Sequence, residues 1–128
     1  MILLLDTCAF IWLTQESEKL SAAARSAIDD PANALALSHA SVWEMHLKHH
    51  AGQLNLPDPP RQWIPQQTAA WNIREWPIRL AAIQRTSDLP DLHRDPFDRL
   101  LVAQSLEDGL AIVSPDPFFP GYGVMVVW

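Results

Sequence analysis

His93-Arg94-Asp95-Pro96-Phe97-Asp98-Arg99-Leu100-Leu101 reads as the start of a helix. An Asp followed at once by Pro has this effect because its side-chain oxygen accepts free N–H groups, while the proline ring presets φ and lacks the N–H that would go unpaired. Asp95 is the expected N-cap. The helix should run to about Glu107 and end at Asp108-Gly109, with the glycine left-handed. Asp98 falls in the first turn, where the helix dipole favours a carboxylate, yet it lies on the side continued by Leu101, Val102 and Ser105, which should face inward. For this stretch alone, a helix capped by two acids explains the pattern as well as a functional site does.

Downstream, Leu110 to Val113 reads as a strand followed by Ser114-Pro115-Asp116, and Val124 to Val127 as a last strand after the Gly121-Tyr122-Gly123 turn. At the other end, Ile2 to Leu5 is a continuous apolar run stopped by Asp6-Thr7, the pattern of a strand buried on both faces. Cys8 to Leu13 reads as a short buried helix. Ser21 opens another, closed by Asp29-Asp30-Pro31. Ala34 to Leu37 is a weaker strand. Ser41-Val42-Trp43-Glu44 has the S-x-x-E form of a capping box, which predicts a helix beginning there and running to about His50. Pro57 to Pro65 predicts a proline-rich loop leading into a helix through Ala69-Ala70-Trp71. Ile73 to Trp76 alternates like a short strand, Leu80 to Gln84 reads as helix, and Leu89 to Leu92 as the loop before the opening stretch. Strands alternating with helices at this spacing imply an α/β fold, a single domain over 1–128 with a mostly parallel sheet of four to five strands covered on both faces.

With 48% hydrophobic and 19% charged residues, the chain has an ordinary globular composition. The apolar run at Met1 to Leu5 is too short for a signal-peptide core or a membrane span, so a cytoplasmic location without membrane contact is expected. Cys8 stands alone, which excludes an internal disulfide and a thiolate metal framework. The net charge of −6 argues against a nucleic-acid partner. That objection weakens only if several acids gather round divalent cations, which would bring positive charge to an approaching phosphate.

Four acids stand at comparable junctions. In a parallel sheet the functional crevice lies beyond the carboxyl ends of the strands, beside the amino ends of the following helices. Asp6 and Asp116 follow strands; Glu44 and Asp98 occupy first turns of helices. Each alone has a plain structural reading: Asp6 as a cap, Glu44 as a capping-box member or partner of Lys48, Asp98 as a dipole partner, Asp116 as a turn residue. Jointly they fit those readings less well. Two carboxylates about 4 Å apart repel by roughly 4 kcal/mol at an effective dielectric of 20, so a converging quartet calls for protons or cations. Mg²⁺ or Mn²⁺ prefers such oxygen ligands and bridges them to phosphate, which points to metal-assisted phosphodiester hydrolysis.

Leu4-Leu5-Asp6-Thr7, Ser41-Val42-Trp43-Glu44 with Lys48 and Gly52-Gln53-Leu54, His93 to Gln104, Val113 to Phe119 and the closing Tyr122 to Trp128 together resemble the PIN-domain family. Within it they look most like the VapC-type ribonuclease toxins of toxin–antitoxin pairs. The resemblance spans essentially the whole chain, and order and spacing carry it more than any one short motif. It implies a three-layer α/β/α sandwich and a Mg²⁺-dependent endoribonuclease, with Mn²⁺ as a substitute, that cuts structured RNA of the transfer or ribosomal class through metal-activated water. Cleavage would leave a 5′-phosphate and a 3′-hydroxyl. The family's four acids fall on Asp6, Glu44, Asp98 and Asp116, as catalytic and metal-binding residues. Thr7 would orient the Asp6 carboxylate or a metal-bound water through its hydroxyl, Ser114 would do likewise near Asp116, and Asp95 would serve as cap, outer ligand or participant. The resemblance also implies a cognate antitoxin and a homodimer. Relatives often carry Thr in place of Ser114 and His in place of Cys8, departures that leave the acids intact.

Arg94, Arg99 and Lys48 are candidates for holding RNA phosphate, with surface ion pairing as the alternative. His46 and His50 have helical i,i+4 spacing but no evident third ligand for zinc, and His39, His49 and His93 are set aside with them. Trp12, Trp43, Trp71 and Trp76 read as core or interface residues. The rival to the nuclease reading is a catalytically inactive PIN-like module that binds protein, its acids acting as ordinary caps. A receiver-like phosphoryl-transfer domain is discounted, because no Lys follows Lys48.

Overall fold

Leu3, Leu4 and Leu5 are wholly buried in strand β1 (Ile2–Leu5), which lies at the centre of a five-stranded sheet. The computed structural model describes all residues, Met1–Trp128. β1 pairs in parallel with β2 (Ala34–Ser38) on one side and β4 (Ala111–Val113) on the other. β3 (Ile73–Trp76) and the two-residue β5 (Val126–Val127) extend the edges, giving the all-parallel order β3-β2-β1-β4-β5. β5 is shorter than the Val124 to Val127 strand expected from the apolar run.

Alternation along the strands sorts the core into two layers. Leu3, Leu5, Leu35, Leu37 and Val113 face α1 (Thr7–Gln15), α2 (Ala22–Asp29) and α4 (Pro60–Ala70), where Phe10 meets Trp63 edge-on at 5.7 Å. Leu4, Ala36 and Ile112 face α5 (Leu80–Arg85) and α6 (Pro96–Asp108). α3 (His39–His50) contributes to both layers, through Met45 and Ala40. The result is the expected three-layer sandwich. No helix is long and apolar enough to cross a membrane.

α6 begins and ends as its sequence predicts. Asp95 accepts from the Phe97 and Asp98 N–H groups at 2.8 and 3.3 Å, and Gly109 (φ 69°) closes the helix in the left-handed region. Three expectations change. Asp6 is the N-cap of α1, which therefore starts at Thr7 rather than Cys8. Ser41 and Glu44 do not form a capping box: Ser38 ends β2 and caps α3 itself, accepting from the Ala40 N–H at 3.0 Å. Ser41 and Glu44 lie inside the helix on its buried side. The expected proline loop is largely helix. Pro60 sits at the first position, where the missing N–H costs nothing, and burial of Trp63 and Ile64 offsets the bond lost at Pro65.

The topology sets up the crevice. From β1 the chain moves out to β2 and β3, then returns to β4 on the other side of β1, so the strand order reverses beside β1. Buried Gln104 of α6 locks this end, accepting from Ser38 Oγ at 2.6 Å and donating to the Pro77 carbonyl at 3.2 Å.

Candidate active site

Asp6, Glu44, Asp98 and Asp116, drawn from four distant parts of the chain, line one cleft of about 620 Å³ at the carboxyl edge of the sheet. Thr7, Cys8, Lys48, His93 and Asp95 share its walls. Asp6 leaves β1 beside β4, its N–H still bonded to the Val113 carbonyl at 3.2 Å. Its carboxylate is held twice, by the Ala9 N–H at 2.7 Å and by Ser114 Oγ at 2.5 Å. The Ser114 hydroxyl in turn accepts from the Asp116 N–H at 3.0 Å, so one side chain spaces two acids.

Glu44 approaches from α3. Thr7 Oγ1 donates to its Oε1, and Lys48, one turn along, pairs with Oε2 at 2.8 Å. Asp116 Oδ1 accepts from the Phe118 N–H at 2.8 Å, and its Oδ2 lies 2.9 Å from His93 Nε2. The same nitrogen is 3.0 Å from Asp98 Oδ2. Of the carboxylate oxygens in the quartet, only Asp98 Oδ1 has no polar protein partner.

Burial dominates the electrostatics. It pushes the Asp6 carboxyl up to about 6, opposed by the Ser114 and Ala9 hydrogen bonds and reinforced by the charges of Asp116 and Glu44. Burial likewise raises Asp98 to about 7, with Asp95, Glu44 and Asp6 adding repulsion and His93 opposing it. The Lys48 ammonium is held above its ordinary range by its hydrogen bond to Glu44. Burial and the Asp6 charge push the Cys8 thiol up to about 11, which keeps it protonated and a poor nucleophile.

A carboxyl raised on folding binds protons more tightly in the native state, so stability falls as pH climbs from the unfolded value through the folded one. For Asp6 that window is about pH 4 to 6, and the loss is about 3 kcal/mol. In chelator, Asp6→Asn is therefore expected to match the parent protein in urea midpoint near pH 4 and to exceed it at pH 7.5. A gap that stays constant across that range contradicts the burial argument.

The supporting residues divide. Thr7 and Ser114 both hold carboxylates, but not the ones expected: Thr7 donates to Glu44 rather than to Asp6, and Ser114 donates to Asp6 while only its oxygen meets the Asp116 N–H; Asp95 acts as the α6 cap at the cleft wall. Lys48 lines the cleft, whereas exposed Arg94 lines a neighbouring apolar groove. Arg99 departs from the phosphate-binding expectation. Its guanidinium donates to the carbonyls of Thr86, Leu89, Pro90 and His93 and to the Tyr122 hydroxyl, and so staples the loop before α6. Sequence spacing gives His93 no partner, yet it stands between two of the acids. No spacing rule brings it there, because its reach depends on how the loop folds ahead of Asp95.

A family model described as "PIN domain" matches residues 3–123. Ribonuclease VapC22 of Mycobacterium tuberculosis is 31% identical over 114 residues, covering 88% of this chain and 85% of that protein. Among solved structures, VapBC2 from Rickettsia felis, bound to a DNA fragment from their promoter, aligns with a TM-score of 0.69 at 12% identity, covering 98% of this chain and 97% of that one. FitAcB from Neisseria gonorrhoeae aligns with a TM-score of 0.62 at 17% identity, covering 98% and 96%. At those identities the structural likeness is one of fold.

Proposed function

The chain belongs to the PIN-domain family, in its VapC group, and from that premise we propose that it is a divalent-metal-dependent endoribonuclease toxin whose active residues are Asp6, Glu44, Asp98 and Asp116. The observation that carries the reading is the convergence of these four acids in one cleft, with Asp6 and Asp98 raised well above the usual carboxylate range. The donor set suits Mg²⁺ or Mn²⁺: the acids offer hard oxygens, and the one thiol nearby is kept protonated. When bound, such an ion makes water a nucleophile at neutral pH and screens the phosphodiester charge.

The protein's own part is to fix the oxygens in place. Ser114 and the Ala9 N–H orient Asp6, Thr7 and Lys48 orient Glu44, and the Phe118 N–H orients Asp116. Asp98 Oδ1 is the oxygen free to accept a cation without losing a protein partner. Lys48, half exposed at the cleft, supplies positive charge to an RNA phosphate. Structured RNA of the transfer or ribosomal class is proposed as substrate on the likeness to VapC ribonucleases. Purified protein is expected to cut such RNA in Mg²⁺ or Mn²⁺ and to stop in EDTA. Cleavage that persists in EDTA contradicts the assignment, and failure to bind metal favours the inactive module.

The partners follow the same premise. The solved neighbours named VapBC support a cognate antitoxin, whose addition is expected to suppress cleavage. A homodimer is proposed through the exposed apolar side chains Trp43 and Leu47 of α3 and Leu80 and Ile83 of α5. Trp43 and Ile83 line one groove, and Trp43 packs edge-on against Phe97 at 5.3 Å. Trp43→Glu is expected to convert a dimer to a monomer in analytical ultracentrifugation; a monomeric parent protein contradicts the proposed face.

A further inference from the structure

The loop ahead of α6 holds His93 with unusual completeness. Its N–H donates to the Tyr122 hydroxyl at 2.7 Å, and its carbonyl accepts from Arg99 at 3.4 Å. The imidazole packs against Phe118 and Phe119, with ring centroids 5.2 and 6.3 Å away. The Asp95 N–H points at Nδ1 over 3.1 Å. On the far side of the ring, Nε2 faces Asp98 Oδ2 at 3.0 Å and Asp116 Oδ2 at 2.9 Å.

These contacts decide where the ring proton sits. A backbone N–H can only donate, so Nδ1 must present its lone pair to Asp95, and in the neutral ring the proton then lies on Nε2. There it donates to Asp116 Oδ2, with Asp98 Oδ2 alongside at 3.0 Å, which is a favourable arrangement. The opposite tautomer would set two N–H groups against each other at Nδ1 and a nitrogen lone pair against the Asp116 carboxylate at Nε2. Metal coordination through Nε2 would require that unfavourable tautomer, although Nε2, Asp98 and Asp116 offer atoms within 4.8 Å of one another.

We infer that His93 is a positioning residue and not a metal ligand: the Asp95 backbone locks it as the Nε2–H tautomer, and that N–H clamps the Asp116 carboxylate while sitting against Asp98. The inference rests on reading the cleft as a divalent-cation site, but the tautomer itself can be observed without any metal. The clamp gives Asp116 the fixed second contact that Ser114 gives Asp6 and Lys48 gives Glu44. It also places a hydrogen-bond donor between two carboxylates that would otherwise repel. Arg99 acts one step further out, by holding the loop that carries the ring.

The test is long-range ¹H–¹⁵N correlation of the histidine rings in uniformly labelled full-length protein, metal-free and saturated with Mg²⁺. The His93 signals are identified by their loss in His93→Gln. The proton is expected on Nε2 in both states. A proton on Nδ1 in the metal-free protein overturns the lock, and its transfer from Nε2 to Nδ1 on adding Mg²⁺ overturns the exclusion of His93 as a ligand. If Mg²⁺ shifts no site resonance, the cation reading fails while the metal-free spectrum still decides the tautomer. Calorimetric titration with Mg²⁺ gives the second arm. His93→Gln, whose amide N–H reaches the Nε2 position, is expected to bind within a few-fold of the parent, and His93→Asn, which keeps only the Nδ1-side acceptor, about ten-fold or more weaker. The reverse order, or two variants that bind as tightly as the parent, contradicts the clamp.

Discussion

Asp98→Asn is expected to slow RNA cleavage on the order of a thousand-fold while leaving the fold intact or more stable in the absence of metal. The substitution preserves the shape of the side chain and an acceptor oxygen, so the cap of α6, which Asp95 provides, is unaffected. What it removes is charge at the oxygen pair that includes the one unpartnered position of the site. The parent carboxyl is raised to about 7, so the metal-free protein bears the cost of its ionisation near neutrality, and the neutral amide relieves that cost. Loss of activity with unchanged or improved resistance to urea is therefore the signature of a functional acid rather than a structural one. Single-turnover cleavage in saturating Mg²⁺, with urea unfolding in chelator, measures both. Cleavage within ten-fold of the parent would return Asp98 to a dipole partner of its helix.

Arg99→Met should do the opposite, with its primary effect on stability. The guanidinium reaches four backbone carbonyls and the Tyr122 hydroxyl, from a side chain only 17% exposed. Methionine fills much of the same volume but leaves those carbonyls to find water or go unpaired. Bonds to a charged donor contribute about 1.5–3 kcal/mol each before relaxation, so a net loss of about 3 kcal/mol is expected once solvent reaches part of the loop. Arg94→Met, five residues away and exposed, should change stability by no more than about 0.5 kcal/mol. Urea unfolding of the two variants separates a staple from a surface charge. Equal and small effects would show that the loop before α6 holds itself.

The contrast between these two arginines shows how far the sequence could be read. Features governed by neighbours in the chain were legible. The apolar run ending at Asp6 announces a strand buried on both faces, and Asp95-Pro96 announces the start of α6, because each depends on contacts within a few residues. Asp6 and Asp116 could be placed at one edge because each follows a strand and a parallel sheet delivers its strand ends to the same side, whereas Glu44 and Asp98 reach that edge from helices.

Features governed by distant partners were not legible. Ser41-x-x-Glu44 matches a capping box in sequence, but the turn out of β2 is made three residues earlier by Ser38, whose hydroxyl also meets Gln104 of α6. Glu44 is thereby placed on the buried side of α3 to meet Thr7. The proline-rich segment reads as loop until Trp63 is seen against Phe10, a contact between α4 and α1. Arg99 carries no local mark that its partners are carbonyls up to thirteen residues back. His93 is the extreme case, since its role depends on a backbone N–H two residues ahead and on a carboxylate that follows a different strand.

The central claim is that carboxylates from four separated segments form a single cation site. Anomalous diffraction from crystals soaked in Mn²⁺ tests it most directly. The account predicts a manganese peak in the cleft, coordinated by Asp98 and by at least one of Asp6, Glu44 and Asp116. A cleft without manganese under conditions that support RNA cleavage, or an ion bound only elsewhere on the surface, would contradict it.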